Sequence, residues 1–343
     1  MVKEVFSQYF EMAQKKLEGM SLEEKVGQIF LARYPKEGVS DEIKELAPGG
    51  YILFRDVLKG ESEQSITKKI QDIQRSSKIP LFIATDEEGG AVCRFSAEFR
   101  SAKFLAPGEV YKKGLEELEE NTIDKALFLK TFGVNLNLAP VCDISSDPTS
   151  FIFSRTLRVG PEETARGISA MVKCYNESSM LSCLKHFPGY GENLDTHKVE
   201  SSDSRLLSDL KSKDFIPFAA GIESGAPMVM ISHQILDTID QGVPASLSAR
   251  MHEILRDTLK FSGIIITDSL SMGAIAGYKT SEEVAVQAVL AGNDMLLTSD
   301  LKKQKEAVVN AIRSGIIEES AIDNSVKRII AAKMSYSLMK PSI

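Results

Sequence analysis

Two of the four histidines in this chain, His186 and His197, stand in one short stretch, CLKHFPGYGENLDTH at residues 183–197. His197 follows Asp195 at a spacing of two in a polar, glycine-rich segment. In extended backbone that spacing points both side chains the same way. Asp195 can then accept a hydrogen bond from one imidazole nitrogen and leave the other to move protons. The same letters also describe a surface Asp turn beside an incidental histidine. Lys185 and His186 close an apolar run. As strand neighbours they face opposite sides unless the backbone twists or bulges, which the following FPG permits. Lys185 is in addition the residue type of a Schiff-base nucleophile.

Carboxylates end two other apolar runs. Asp268 closes GIIITD at residues 263–268, where a stiff isoleucine run can present it as a nucleophile, a metal ligand or a hydrogen-bond acceptor. It can equally cap the helix that follows. Asp86 opens DEEGG, whose glycine pair lets a ligand approach the backbone, with an acidic turn as the plainer reading. A metal centre finds little support. The first strand, IFLARYP, has no histidine, and His186, His233, Asp86 and Asp268 form a thin ligand set. No metal and no organic cofactor is expected, and His252 reads as a surface residue of a helix.

Elements that could hold these groups recur along the chain. Short apolar, β-branched-rich runs occupy residues 29–32, 50–54, 80–86, 134–140, 180–187, 227–233, 263–268 and 294–297. Amphipathic stretches of helical length lie between most of them, among them 61–76, 162–178, 204–224 and 281–291. Continuous apolar strands suit a parallel sheet covered on both faces, and eight such units predict an α/β protein of the (β/α)8 barrel type with a helical N-terminal lead over residues 1–26. The alternative, a doubly wound open sheet, would often carry a glycine fingerprint after the first strand, and FLARYP has none. In a barrel, chemistry gathers at the C-terminal strand ends. Asp86, Lys185, His186, His233 and Asp268 each close a strand candidate, which favours a site over isolated end caps.

Composition narrows the classes further. At 343 residues and 43% hydrophobic, the chain can bury a large core, and no linker or charge block divides it, so residues 1–343 are expected to form a single catalytic barrel domain with no second domain. A net charge of -7 argues against nucleic acid or an anionic membrane as the main partner. No signal peptide is evident, and no apolar run is long enough to span a bilayer. Four scattered cysteines lack a disulfide-like framework, so a reducing, cytoplasmic setting is expected. The oligomeric state is open, and a monomer fits.

The ordered set SLEEKVGQIFLA, GGYILF, ATDEEGG, NLNLAPVCDISSDP, KHFPGYG, ITDSLSMGAI and AVLAGNDMLL resembles glycoside hydrolase family 3, in particular its single-barrel β-N-acetylglucosaminidases. The resemblance implies a retaining double displacement on a small carbohydrate substrate, muropeptide-derived or from chitin. Asp268 would be the nucleophile, and His197 the acid/base oriented by Asp195, a departure from the common carboxylate pair. Asp86, Arg94, Arg155, Lys185 and His186 would grip the terminal sugar. The related alternative is a phosphorylase. Further off lie a Schiff-base lyase using Lys185 and a sugar-binding protein without turnover. Tyr190, Ala91 and Glu87 depart from the residues frequent in the family, and the segment from Lys185 to His197 is one residue shorter than in many relatives.

Overall fold

The computed structural model describes residues 5–192, 195 and 202–340. All eight strand candidates are strands or flank one. They are β1 (Phe30–Arg33), β2 (Gly50–Ile52), β3 (Phe82–Thr85), β4 (Leu136–Asn137), β5 (Leu181–Phe187), β6 (Met228–Ile231), β7 (Ile264–Thr267) and β8 (Leu296–Thr298). Each pairs in parallel with its neighbour in chain order, and β8 pairs with β1 through Phe30–Leu296 and Leu31–Leu297. A parallel bridge between Ile266 and Met295, with Thr267 N donating to the Met295 carbonyl at 3.1 Å, joins β7 to β8 and closes the ring. An open doubly wound sheet would reverse its strand order at a switch point, and here the order never reverses.

The strands are buried throughout, apart from Arg33, because the barrel interior and the surrounding helices cover both faces. The helices follow from their sequence. Ile66, Ile70 and Ile73 line the inner face of Glu63–Ser76, and Ser62 caps it by accepting from Ser65 N. Thr280 and Glu283 form a capping box ahead of Ser281–Ala291, and Pro161 opens Pro161–Glu177. The expected helix over 204–224 is instead two, Leu207–Ser212 and Phe215–Glu223. Pro217 lacks an N–H and is tolerated in the first turn, so it starts a new helix where it would break a continuous one. The lead forms Phe10–Glu18 and Leu22–Gln28, and Phe10–Glu18 packs on the last helix, Glu319–Ser335. His252, expected at the surface, is buried, with Nδ1 donating to the Ser248 carbonyl at 2.8 Å. Among the described residues no helix is long and apolar enough to cross a membrane.

A short two-stranded ribbon, Ser202–Asp203 with Ile235–Leu236, sits beside the C-terminal ends of β5 and β6. It was not legible as strand, because two residues are too few to carry a periodic signal.

At the closed N-terminal end of the ring, Lys333 is fully buried. Its Nζ donates to Gln28 Oε1 at 2.8 Å and stands 4.9 Å from the centre of the Phe82 ring.

Candidate active site

A cavity of about 480 Å³ opens at the C-terminal ends of the strands. That volume is in the usual range for small-molecule sites, about 300–1,000 Å³. Asp86, Arg94, Arg155, Lys185, His186, Asp195 and Asp268 all line it, so the structure brings together seven of the eight site residues that the family resemblance implies. The eighth, His197, lies outside the described residues. Phe54, Val92, Phe151, Met230, Met272 and Leu297 supply apolar wall between the charges.

Lys185 and His186 both reach the cavity because β5 does not stay regular. Its register against β6 shifts between Leu184 and Phe187. Lys185 Nζ then lies 2.8 Å from Asp86 Oδ1 and 2.6 Å from Glu88 Oε1. Arg155 grips the same Glu88 with two parallel bonds, Nε to Oε2 and Nη2 to Oε1, both 2.8 Å. This fork geometry is the strong form of a carboxylate pair.

Burial alone would push the Glu88 carboxyl up, but the Arg155 guanidinium and the Lys185 ammonium reverse that and hold it well below the usual carboxylate range. Burial likewise works against the Lys185 ammonium, and Asp86 and Glu88 outweigh it, so the amine is held above its ordinary value. A lysine kept protonated between two carboxylates is a poor nucleophile, which speaks against Schiff-base chemistry at this position.

His186 is placed from behind. Asp143 Oδ2 accepts from its Nδ1 at 2.7 Å and from its backbone N at 3.2 Å. Arg155 Nη2, which can only donate, lies 3.0 Å from Nε2. These partners fix the neutral tautomer with the proton on Nδ1. Burial, reinforced by the Arg155 and Lys185 charges, lowers the His186 value despite the pull of Asp143. The other Asp143 oxygen accepts from Tyr190 N at 2.7 Å. Tyr190 is fully buried, edge-on to His186 and to Phe151 with centroids 5.1 and 5.0 Å apart. It therefore forms part of the wall supporting His186.

Asp268 sits just past β7, where its N donates to the Ile231 carbonyl at 2.9 Å and one carboxylate oxygen accepts from Ser269 N at 2.7 Å. His233, weighed as a possible ligand, instead bonds the Ser269 carbonyl through Nε2 at 2.9 Å and Ser246 Oγ through Nδ1 at 2.7 Å. It thus holds the residue after Asp268 from beneath. Arg94 approaches Asp86 at 3.9 Å, and its buried Nε has no hydrogen-bond partner among the described residues. That donor is available to a bound hydroxyl. Also among the described residues, no group of three or more His, Cys, Asp or Glu side chains has the geometry to hold a metal ion.

Further residues that matter here were not picked out as site residues from the sequence. In the pair Glu87-Glu88, only Glu88 enters the cavity. Glu87 is buried behind it and accepts from the backbone N of Arg94 and Phe95, both at 2.8 Å, which folds the loop that carries Arg94. Asn137 in β4 bonds both the N and the O of Glu87 at 3.0 Å, and Lys125 donates to the Glu88 carbonyl at 2.8 Å. Asp143 was visible as the last letter of the N-x-A-P-V-x-D stretch, but nothing in that spacing says it lies behind a histidine. Arg33, at the end of β1, reaches the rim, where it pairs with Asp56 at 2.8 Å and stands 5.1 Å from the centre of the Phe54 ring.

Comparison with known proteins matches this architecture. A β-hexosaminidase of Nitrosomonas eutropha is 31% identical over 284 residues, 81% of this chain and 80% of that protein. The solved structure of a glycoside hydrolase family 3 β-N-acetylglucosaminidase from Paenibacillus superposes with a TM-score of 0.88 at 28% identity. The match covers 93% of this chain and 63% of that one, so this chain spans a little under two thirds of the Paenibacillus protein. A β-N-acetylhexosaminidase from Beutenbergia cavernae gives 0.81 at 26% identity, covering 92% of this chain and 98% of that one. The family model described as the glycosyl hydrolase family 3 N-terminal domain matches residues 21–332, and the chain belongs to that family of glycoside hydrolases.

Proposed function

We propose that the protein is a retaining exo-β-N-acetylglucosaminidase, with the barrel alone as its catalytic unit. The observation that carries this reading is the gathering of Asp268, Asp195 and the Asp86–Glu88–Arg155–Lys185–His186 network around one cavity at the C-terminal strand ends. β-Hexosaminidase names among the relatives support the choice of sugar.

In this reading the terminal sugar sits with its hydroxyls on Asp86, Lys185, His186, Arg155 and Arg94. Fixed polar contacts of this kind turn binding into alignment of the anomeric carbon with Asp268. A carboxylate oxygen of Asp268 attacks that carbon as the bond to the leaving oxygen breaks. His197, oriented by Asp195, gives that oxygen its proton. Water then attacks the anomeric carbon of the glycosyl-enzyme ester as His197 removes a proton from it, and the Asp268 carboxylate leaves with the configuration retained. The substrates are muropeptide-derived N-acetylglucosaminyl sugars or chitin oligosaccharides. Four buried free cysteines support work in a reducing, cytoplasmic compartment.

Incubation with an aryl N-acetyl-β-glucosaminide, with and without phosphate, tests the proposal. N-acetylglucosamine of retained configuration is the expected first product in both. Absence of turnover by folded protein would overturn the enzyme reading, and N-acetylglucosamine 1-phosphate as the main product would make the protein a phosphorylase.

A further inference from the structure

Lys125 lies on the inward face of the helix Leu115–Thr131, fully buried among Leu118, Thr122, Ala126 and Leu129 of the same helix. A lysine is almost never buried so completely unless it is paired. Its Nζ donates to the Glu88 carbonyl at 2.8 Å and stands 5.5 Å from the centre of the Phe104 ring. Burial pushes the ammonium below its ordinary value, and the Glu87 charge is the foremost influence working against that.

The turn that Lys125 touches is anchored at every main-chain polar group of the two glutamates. Asn137 takes the N and the O of Glu87, Glu88 N donates to the Val92 carbonyl at 2.9 Å, and the Glu88 carbonyl accepts from Lys125. Only the last of these anchors carries a charge. The turn has no room to slide: Gly89 takes a φ of +110°, and a Cβ there would stand 2.1 Å from the Leu105 carbonyl oxygen. In front of the turn, the Glu88 carboxylate holds Arg155 at 2.8 Å and Lys185 at 2.6 Å. Behind it, Glu87 holds the loop that carries Arg94. Lys125 itself does not line the cavity.

We propose that Lys125 is a positioning residue for the sugar site: through the Glu88 carbonyl it sets where the Glu88 carboxylate meets Arg155 and Lys185. This rests on the reading of that network as the sugar grip of a glycosidase. A lysine that served only to offset the buried Glu87 charge would matter for stability and not for turnover by folded protein. The two roles separate because one needs a charge and the other needs a hydrogen-bond donor.

The test compares Lys125→Met, Glu87→Gln and the double variant with the wild type, on N-acetyl-β-glucosaminides with a dinitrophenyl and with a sugar leaving group. Melting is followed for each protein, and rates are taken well below all the melting points. Lys125→Met leaves Glu87 without its cation and Glu88 without its donor, so it should melt early or fail to fold. The double variant removes both buried charges and should regain the melting temperature of Glu87→Gln. It still lacks the donor, so its kcat/KM should stay about 10-fold or more below that of Glu87→Gln, since a misplacement of about 1 Å costs up to about 100-fold. The loss should be equal on the two substrates, because the grip acts on the sugar common to both. A double variant with the kcat/KM of Glu87→Gln, or a loss confined to one leaving group, would overturn this proposal alone. Absence of turnover by the wild type on both substrates would remove the glycosidase reading and the proposal together.

Discussion

Replacing Lys333 by methionine should make the protein more stable without touching catalysis. The residue is fully buried at the closed end of the barrel, its ammonium faces Gln28 and a phenyl ring, and burial pushes its value down from an ordinary 10.5 to about 7. Because the folded value is depressed, stability is fully present above about pH 10.5 and is lost as pH falls towards 7. The loss runs at about 1.4 kcal/mol per pH unit over about 3.5 pH units, or about 5 kcal/mol at pH 7. Methionine carries no proton to lose and fills a similar space. It leaves Gln28 Oε1 without its donor, at a cost of about 1–3 kcal/mol. The net expectation is a variant about 2–4 kcal/mol more stable at pH 7, with the advantage gone or reversed near pH 10.5. Urea midpoints at about pH 7, 9 and 10.5 measure this, and kcat/KM on an aryl glycoside should stay unchanged. A methionine variant less stable at pH 7, or a difference that stays constant with pH, would refute the reasoning.

Three further outcomes follow from the site and its surroundings. Asp268→Ala should abolish the covalent adduct formed with a fluorinated mechanism-based sugar, read by mass spectrometry; persistent labelling would move the nucleophile elsewhere. Glu88→Gln leaves Arg155 and Lys185 as buried cations without their shared partner, so it should cost about 3–5 kcal/mol of stability and raise KM, measured by denaturation and kinetics. His252 is buried with its value held below the ordinary 6.5 by burial, so its contribution is present above about pH 6.5 and fades as pH falls further. His252→Gln should therefore flatten the acid side of the stability profile, and an unchanged slope would contradict it.

The ring was legible because parallel strands buried on both faces read as unbroken apolar runs such as GIIITD and PMVMISH. Their number and the missing glycine fingerprint favoured a barrel over an open sheet. The strand-end rule then pointed to Asp86, Lys185, His186 and Asp268, which do share one cavity. It failed at His233, because a strand end fixes where a side chain starts and not which way it leans, and this one leans under Ser269. Glu88 stayed hidden beside Glu87 for a related reason: in a turn, adjacent acids have no fixed alternation, and the choice is made by Asn137 and Lys125 more than 35 residues away in sequence. His252 was misread because a lone polar letter on a helix carries no sign of which face is covered.

The cluster around Glu88 has a consequence for how a ligand would be recognised. Two carboxylates, Asp86 and Glu88, already face the cations Lys185 and Arg155, with Arg94 3.9 Å from Asp86, so each carboxylate is paired before anything enters. A neutral sugar neither breaks these pairs nor moves a counter-ion; it exchanges hydrogen bonds with water for hydrogen bonds with atoms whose directions are already set. Selection at such a site depends on the stereochemistry of each hydroxyl at contact. Ionic strength, which screens attraction between exposed charges over about 8–10 Å, has little here to weaken.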